Sequence, residues 1–87
     1  MAAVSLTKVK LLFFATLRDI IGTKSLDVEI PARATVAELK SQLVKAYPGL
    51  SKVRDAMRDE VNHEYAADES VIPAEAEIAI FPPVSGG

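Results

Sequence analysis

One stretch of the 87-residue sequence repeats its apolar residues at helical spacing for more than a single turn: Val36, Leu39, Leu43 and Ala46. It begins at Thr35-Val36-Ala37-Glu38, a capping box in which the Thr hydroxyl takes the amide three residues on and the Glu reaches back. Pro48-Gly49 ends it, because the residue before a proline is turned away from helical backbone. Most other apolar stripes repeat every second residue, as strands do. Val9, Leu11 and Phe13 oppose Lys8, Lys10, Leu12 and Phe14 in a predicted strand over 8–15. The unbroken apolar run Leu11 to Phe14 means that both faces of this strand are partly covered, as in the middle of a sheet. Leu26, Val28 and Ile30 alternate with Asp27 and Glu29 until Pro31. Val61, His63 and Tyr65 alternate with Glu60, Asn62 and Glu64, which predicts one half-exposed strand over 60–66. Val71-Ile72 is a brief extended piece, and Pro73 to Ala76 a turn. Ile78 and Ile80 face inward in a last strand over 77–81, closed by Pro82, which has no amide hydrogen to donate. Two short helical turns complete the pattern, one at Leu17, Ile20 and Ile21 before Gly22, the other at Leu50, Val53 and Met57.

One main helix and several strands bury their stripes together only if the helix lies across one face of a small mixed sheet. The expected fold is therefore α+β, and the element order fits the β-grasp architecture. Residues 1–81 form a single domain, of which 1–7 read as a loose leader, and 82–87 form an extended tail. A chain of this length supports one modest core, and 49% hydrophobic with 25% charged residues is a globular composition.

The composition also narrows the function. There is no cysteine, hence no disulfide, thiolate metal site or cysteine nucleophile. The apolar stretch Leu11 to Leu17 falls far short of the roughly 20 residues that cross a bilayer. No signal-peptide pattern follows Lys8 and Lys10, so a cytoplasmic protein without a membrane partner is expected. Residues 1–54 carry nine Lys/Arg and four Asp/Glu, whereas 55–87 carry only Arg58 against eight acidic residues. No basic cluster is interleaved with aromatics, which argues against a nucleic-acid partner. The acidic half suits either a basic partner surface or plain solvation.

No side chain stands out as a reagent. His63 is the only histidine and reads as structural or surface. No His/Asp/Glu spacing supplies the three or four ligands of a metal site, and there is no phosphate-binding Gly loop. Asp59-Glu60 and Asp68-Glu69 are neighbours in turn-like stretches, and sequence neighbours on a strand point apart. Phe14, Tyr65 and Phe81 each read as core when taken alone. Phe14 and Tyr65, however, sit on strands whose other face is already apolar, and Phe81 directly precedes the tail. Three such groups near one tail would make a partner-binding patch.

The tail is Pro82-Pro83-Val84-Ser85-Gly86-Gly87. Two glycines in the last two places arise by chance about once in 200 chains at a Gly usage of roughly 7%. Pro82-Pro83 favours a stiff polyproline start, which lowers the entropy lost on being gripped. Six residues extend about 20 Å at roughly 3.3 Å each, enough to enter a buried active site. Val84 is an apolar anchor, Ser85 leads on from it, and Gly86 and Gly87 carry no Cβ to obstruct a narrow channel. The Gly87 carboxylate is then the group delivered. A carboxylate is a poor electrophile and needs activation to a mixed anhydride, ordinarily by ATP, before sulfide can displace AMP.

The stretches KVKLLFFATLRDIIG, VNHEY and above all IAIFPPVSGG resemble the small subunits of molybdopterin synthase, a family of ubiquitin-like sulfur carriers with the β-grasp fold. The resemblance covers nearly the whole chain from Lys8 to Gly87. It implies that Gly87 is adenylated by an E1-like activating enzyme and converted to a thiocarboxylate by a sulfur-donating sulfurtransferase. It implies that the tail then inserts into a large catalytic subunit, in a heterotetramer of two small and two large subunits, and gives sulfur to cyclic pyranopterin monophosphate. It places partner-binding groups at Phe14, Tyr65 and Phe81, with Pro82 to Gly86 as the inserted tail. No cofactor is then held stably and no metal is bound. The resemblance further implies a sulfur-donating subunit rather than a catalyst. One departure is MRDEVNHEY, where relatives often carry an apolar strand and this chain has Asp59-Glu60. Three other readings stay open: a protein modifier joined through Gly87 to lysines, a carrier supplying sulfur to thiamine or tRNA, and an interaction domain with an inert tail.

Overall fold

A computed structural model describes residues 5–83. Five strands and one long helix form its frame: β1 (Leu6–Phe13), a short helix α1 (Thr16–Ile21), β2 (Ser25–Pro31), the main helix α2 (Val36–Ala46), then β3 (Arg58–Val61), β4 (Glu64–Ala66) and β5 (Glu77–Phe81). Two 3₁₀ turns, Pro48–Leu50 and Arg54–Ala56, join α2 to β3. The sheet order is β2-β1-β5-β3-β4, with β1 and β5 parallel at its middle and every other pair antiparallel. This is the expected α+β, β-grasp arrangement, with α2 laid across one face.

The core forms where the two periodicities meet. Val9, Leu11 and Phe13 of β1 and Ile78 and Ile80 of β5 present one buried sheet face, and Val36, Leu39 and Leu43 of α2 cover it. The capping box at Thr35 is complete: the Glu38 amide donates to the Thr35 hydroxyl, and the Thr35 amide donates to Glu38 Oε1. Ala46, expected on the inner face of α2, is exposed, while Lys40 is buried. Lys40 follows Val36 by one turn, so the inward stripe bends through 36, 39, 40 and 43 rather than reaching 46.

Three other expectations are corrected. Leu6 and Thr7, assigned to a loose leader, belong to β1 and pair with Pro31 and Ile30. At its other end β1 stops at Phe13, because Ala15 takes φ 53° and cannot continue the ladder. Residues 60–66 are not one strand but the β3–β4 hairpin, which also takes Asp59-Glu60 out of the turn expected there. Asn62 and His63 both adopt positive φ, 51° and 73°, the backbone that a tight two-residue hairpin turn requires. The Asn62 amide donates to the Glu77 carbonyl oxygen, and the Glu77 amide donates to Asn62 Oδ1, so the turn is tied to the start of β5.

Candidate functional site

The side of the sheet turned away from α2 carries the candidate site. Alternation along β1 and β5 sends Phe14 and Phe81 there, and the parallel pairing brings the two strand ends side by side. The Phe14 amide donates to the Ile80 carbonyl oxygen, which fixes the first ring beside the second. Their rings stack with centroids 4.6 Å apart and planes 14° from parallel. Arg18, from α1, lies 5.8 Å over the Phe14 ring while its Nε donates to the Phe13 carbonyl oxygen.

The hairpin turn restores a third aromatic to this face. Across the turn Glu60 pairs with Tyr65 and Val61 with Glu64. Tyr65 therefore shares the outer face with Glu60 and Arg58, not with Val61 as a single continuous strand would have had it. It is 68% exposed. Arg58 pairs with Phe81 across β3 and β5 and sits 5.9 Å over the Tyr65 ring. A groove of about 270 Å³ runs between Arg58, Glu60, Tyr65, Phe81 and Pro82. On the other side of the stacked rings a second hollow of about 230 Å³ is lined by Lys10, Leu12, Phe14, Arg18 and Lys24. A larger depression on the outer side of α2, about 420 Å³, is lined by Ala37, Glu38, Ser41, Gln42, Lys45 and Arg54, and its Arg54 is already bonded to Ser41, Asp55 and the Ala37 carbonyl oxygen.

The three aromatics Phe14, Tyr65 and Phe81 thus lie on one face. Pro82 joins Tyr65 and Phe81 in the groove, and Pro83 is half-buried. Val84, Ser85, Gly86 and Gly87 lie outside the described residues. Sequence reasoning did not assign Arg18 and Arg58 to this patch. The signal for Arg58 was strand parity with Glu60, legible only once β3 is known to start there. Arg18 had none, because a single helical turn does not tell which residue folds back over the strand before it. His63 is not part of the patch. It is exposed at the hairpin tip, with Nε2 3.6 Å from Glu77 Oε1. Asp59 and Glu60 point to opposite faces, as neighbours on a strand must. Among the described residues no group of three or more His, Asp or Glu is arranged to hold a metal, and no helix is long and apolar enough to cross a membrane.

This arrangement is an aromatic, cation-edged patch that ends at Phe81 and Pro82. The chain as a whole is similar to known proteins over most of their length. The family model described as ThiS matches residues 11–87. A molybdopterin synthase sulfur carrier subunit of Arabidopsis thaliana is 34% identical, over 95% of this chain and 86% of its own. One from Caenorhabditis briggsae is 37% identical, over 94% of this chain and all of its own. Among solved structures, SAMP1 of Haloferax volcanii, a small archaeal modifier protein, superposes with a TM-score of 0.78 at 34% identity, covering 92% of this chain and 99% of that one. The chain belongs to the ThiS family of small β-grasp proteins, among relatives named as sulfur carriers of molybdopterin synthase.

Proposed function

We propose that the chain is the sulfur-carrier subunit of a molybdopterin synthase, working through the Gly87 carboxylate. The observation that carries this reading is the joining of family match and geometry. The match runs from Leu11 through Gly87, and within it Phe14 and Phe81-Pro82 meet on one exposed face directly before the tail. The aromatic patch docks on a large catalytic subunit, and the tail from Pro82 onward enters that subunit's site. Aromatic and Arg groups centred on such a patch are the usual energetic anchors of an interface.

The chemistry belongs to the main-chain carboxylate. In an activating enzyme it attacks the α-phosphate of ATP, pyrophosphate leaves, and an acyl adenylate forms. A sulfide-level donor delivered by a sulfurtransferase displaces AMP and leaves a thiocarboxylate. In the synthase the sulfur passes to cyclic pyranopterin monophosphate, and water returns the carboxylate. Two such transfers make the dithiolene, which suits an assembly of two carriers with two large subunits. The carrier holds no cofactor of its own and works in the cytoplasm.

The test uses the thiocarboxylated chain, a molybdopterin synthase large subunit and cyclic pyranopterin monophosphate, without ATP. Molybdopterin and the Gly87 carboxylate are the expected products, since activation has already been done. A chain lacking Gly87 keeps its fold and gives none. The likeness to SAMP1 favours a second reading, conjugation through Gly87 to protein lysines. Absence of molybdopterin with a competent large subunit, together with lysine-linked adducts in cell extract, would establish that reading instead.

A further inference from the structure

Asp59 occupies a core position that the apolar pattern of the sheet does not explain. It lies on β3 opposite Ile80 of β5 and Ala66 of β4, facing α2. It is 1% exposed, and neither carboxylate oxygen has a hydrogen-bond partner among the described residues. The charged groups facing it are Lys40 from α2 and Asp68 from the segment after β4. Lys40, itself 3% exposed, donates from Nζ to Asp68 Oδ1 at 2.8 Å and to the Met57 carbonyl oxygen at 3.0 Å. The cluster therefore sets one ammonium against two carboxylates. With both acids ionised it holds an uncompensated negative charge at the core, and with Asp59 protonated it is neutral. A buried charge without a partner costs far more than its neutral form.

We propose that Asp59 is a proton-binding site that couples the packing of the β3–β4 hairpin to pH, tight when the carboxyl holds its proton and loosened when it ionises. The inference stands apart from the proposed function, since it concerns the fold alone. Burial pushes the Asp59 carboxyl from 3.8 up to about 6, with Lys40 pulling it down and Asp68 adding to the rise. The folded chain thus keeps a proton that the unfolded chain releases. The resulting stability is complete below about pH 4, falls through the window up to about pH 6, and is lost above it. A difference of about two pKa units corresponds to at most a ~100-fold change in the folding constant. The same hairpin supplies Arg58 and Tyr65 to the outer groove, so a proton taken up under the sheet steadies side chains on top of it.

The experiment follows the Asp59 carboxyl carbon by NMR in the full chain from about pH 4 to about pH 8, with hydrogen exchange of the β3 amides and denaturant unfolding alongside. The expected midpoint is about 6. Exchange at β3 quickens above it, and the folding constant drops by up to ~100-fold relative to Asp59→Asn, whose amide does not titrate. Lys40→Met removes the facing cation and raises the midpoint further. A midpoint in the ordinary carboxylate range overturns the proposal, and so does a pH-independent difference between the wild-type chain and Asp59→Asn. The NMR arm needs no variant and decides the question even if neither substituted chain folds.

Discussion

Ala15 and Gly22 bracket α1, and each departs from ordinary backbone in its own way. Both have positive φ, 53° at Ala15 and 91° at Gly22. Gly22 caps the helix, and its amide donates to the Arg18 carbonyl oxygen at 2.8 Å. The space around it is open, so Gly22→Ala meets no neighbour and suffers only the backbone cost of a left-handed L-residue, about 1–2 kcal/mol. Ala15 combines its positive φ with ψ −130°, a region in which a residue with a Cβ stores on the order of 1–3 kcal/mol. Glycine there relieves the strain and loses about 0.5–1 kcal/mol through its freer unfolded chain. Ala15→Gly is therefore expected to raise the urea midpoint and Gly22→Ala to lower it. A fall in both would show that the Ala15 conformation is not strained. The position matters because Ala15 follows Phe14, and the turn it makes folds Arg18 back over that ring.

Among the elements, the β3–β4 hairpin is the one whose connection sets the site. Asn62 at φ 51° and His63 at φ 73° are both residue types enriched at positive φ, yet each costs more there than glycine, which has no Cβ. Asn-Gly is the favoured pair for such a turn. His63→Gly should then stabilise the protein by about 0.5–1 kcal/mol, because the turn strain removed outweighs the entropy added. The lost contact to Glu77 is solvent-exposed and contributes little. Thermal unfolding checks the sign, and an unchanged or lowered Tm counts against a strained turn. Docking should be untouched, since His63 lies outside the Arg58–Tyr65–Phe81 groove.

At the scale of the whole molecule the sheet separates two tasks: one face holds the fold, the other presents the patch. Leu39 lies fully within the core, and Leu39→Ala should cost about 2–5 kcal/mol of stability through lost burial and the cavity left behind. Tyr65 is an exposed residue on the opposite face, so Tyr65→Ala should change stability by no more than about 0.5 kcal/mol. Docking to a molybdopterin synthase large subunit should show the reverse, with the folded fraction of Leu39→Ala binding normally and Tyr65→Ala bound at least about tenfold more weakly. Calorimetry of binding and of unfolding on both variants tests the separation. Weak docking by both, or by neither, would mean that the outer face is not the docking face.

The sequence by itself determined what local periodicity and end signals can encode. The Thr35 box and the 36-39-43 stripe specify α2, and the alternations at 9-11-13 and 78-80 specify the two middle strands and their buried face. Of the aromatic set, Phe14 was legible from the same alternation and Phe81 from its place before the tail, whereas the single strand read over 60–66 set Tyr65 on the face of Val61 and only the hairpin turn carries it to the outer face. What needed the tertiary structure depends on contacts between distant parts of the chain. The turn at Asn62-His63 reads as continuing alternation, because its residues keep the period while the backbone reverses, and pairing with β5 reveals the reversal. The Phe14–Phe81 stack exists because β1 and β5 run parallel side by side, a pairing that no local pattern prescribes. The burial of Lys40 and Asp59 depends on which side of β3 lies under α2. Polar residues carry no inward signal of their own, and the pair went unread until helix and sheet were brought together.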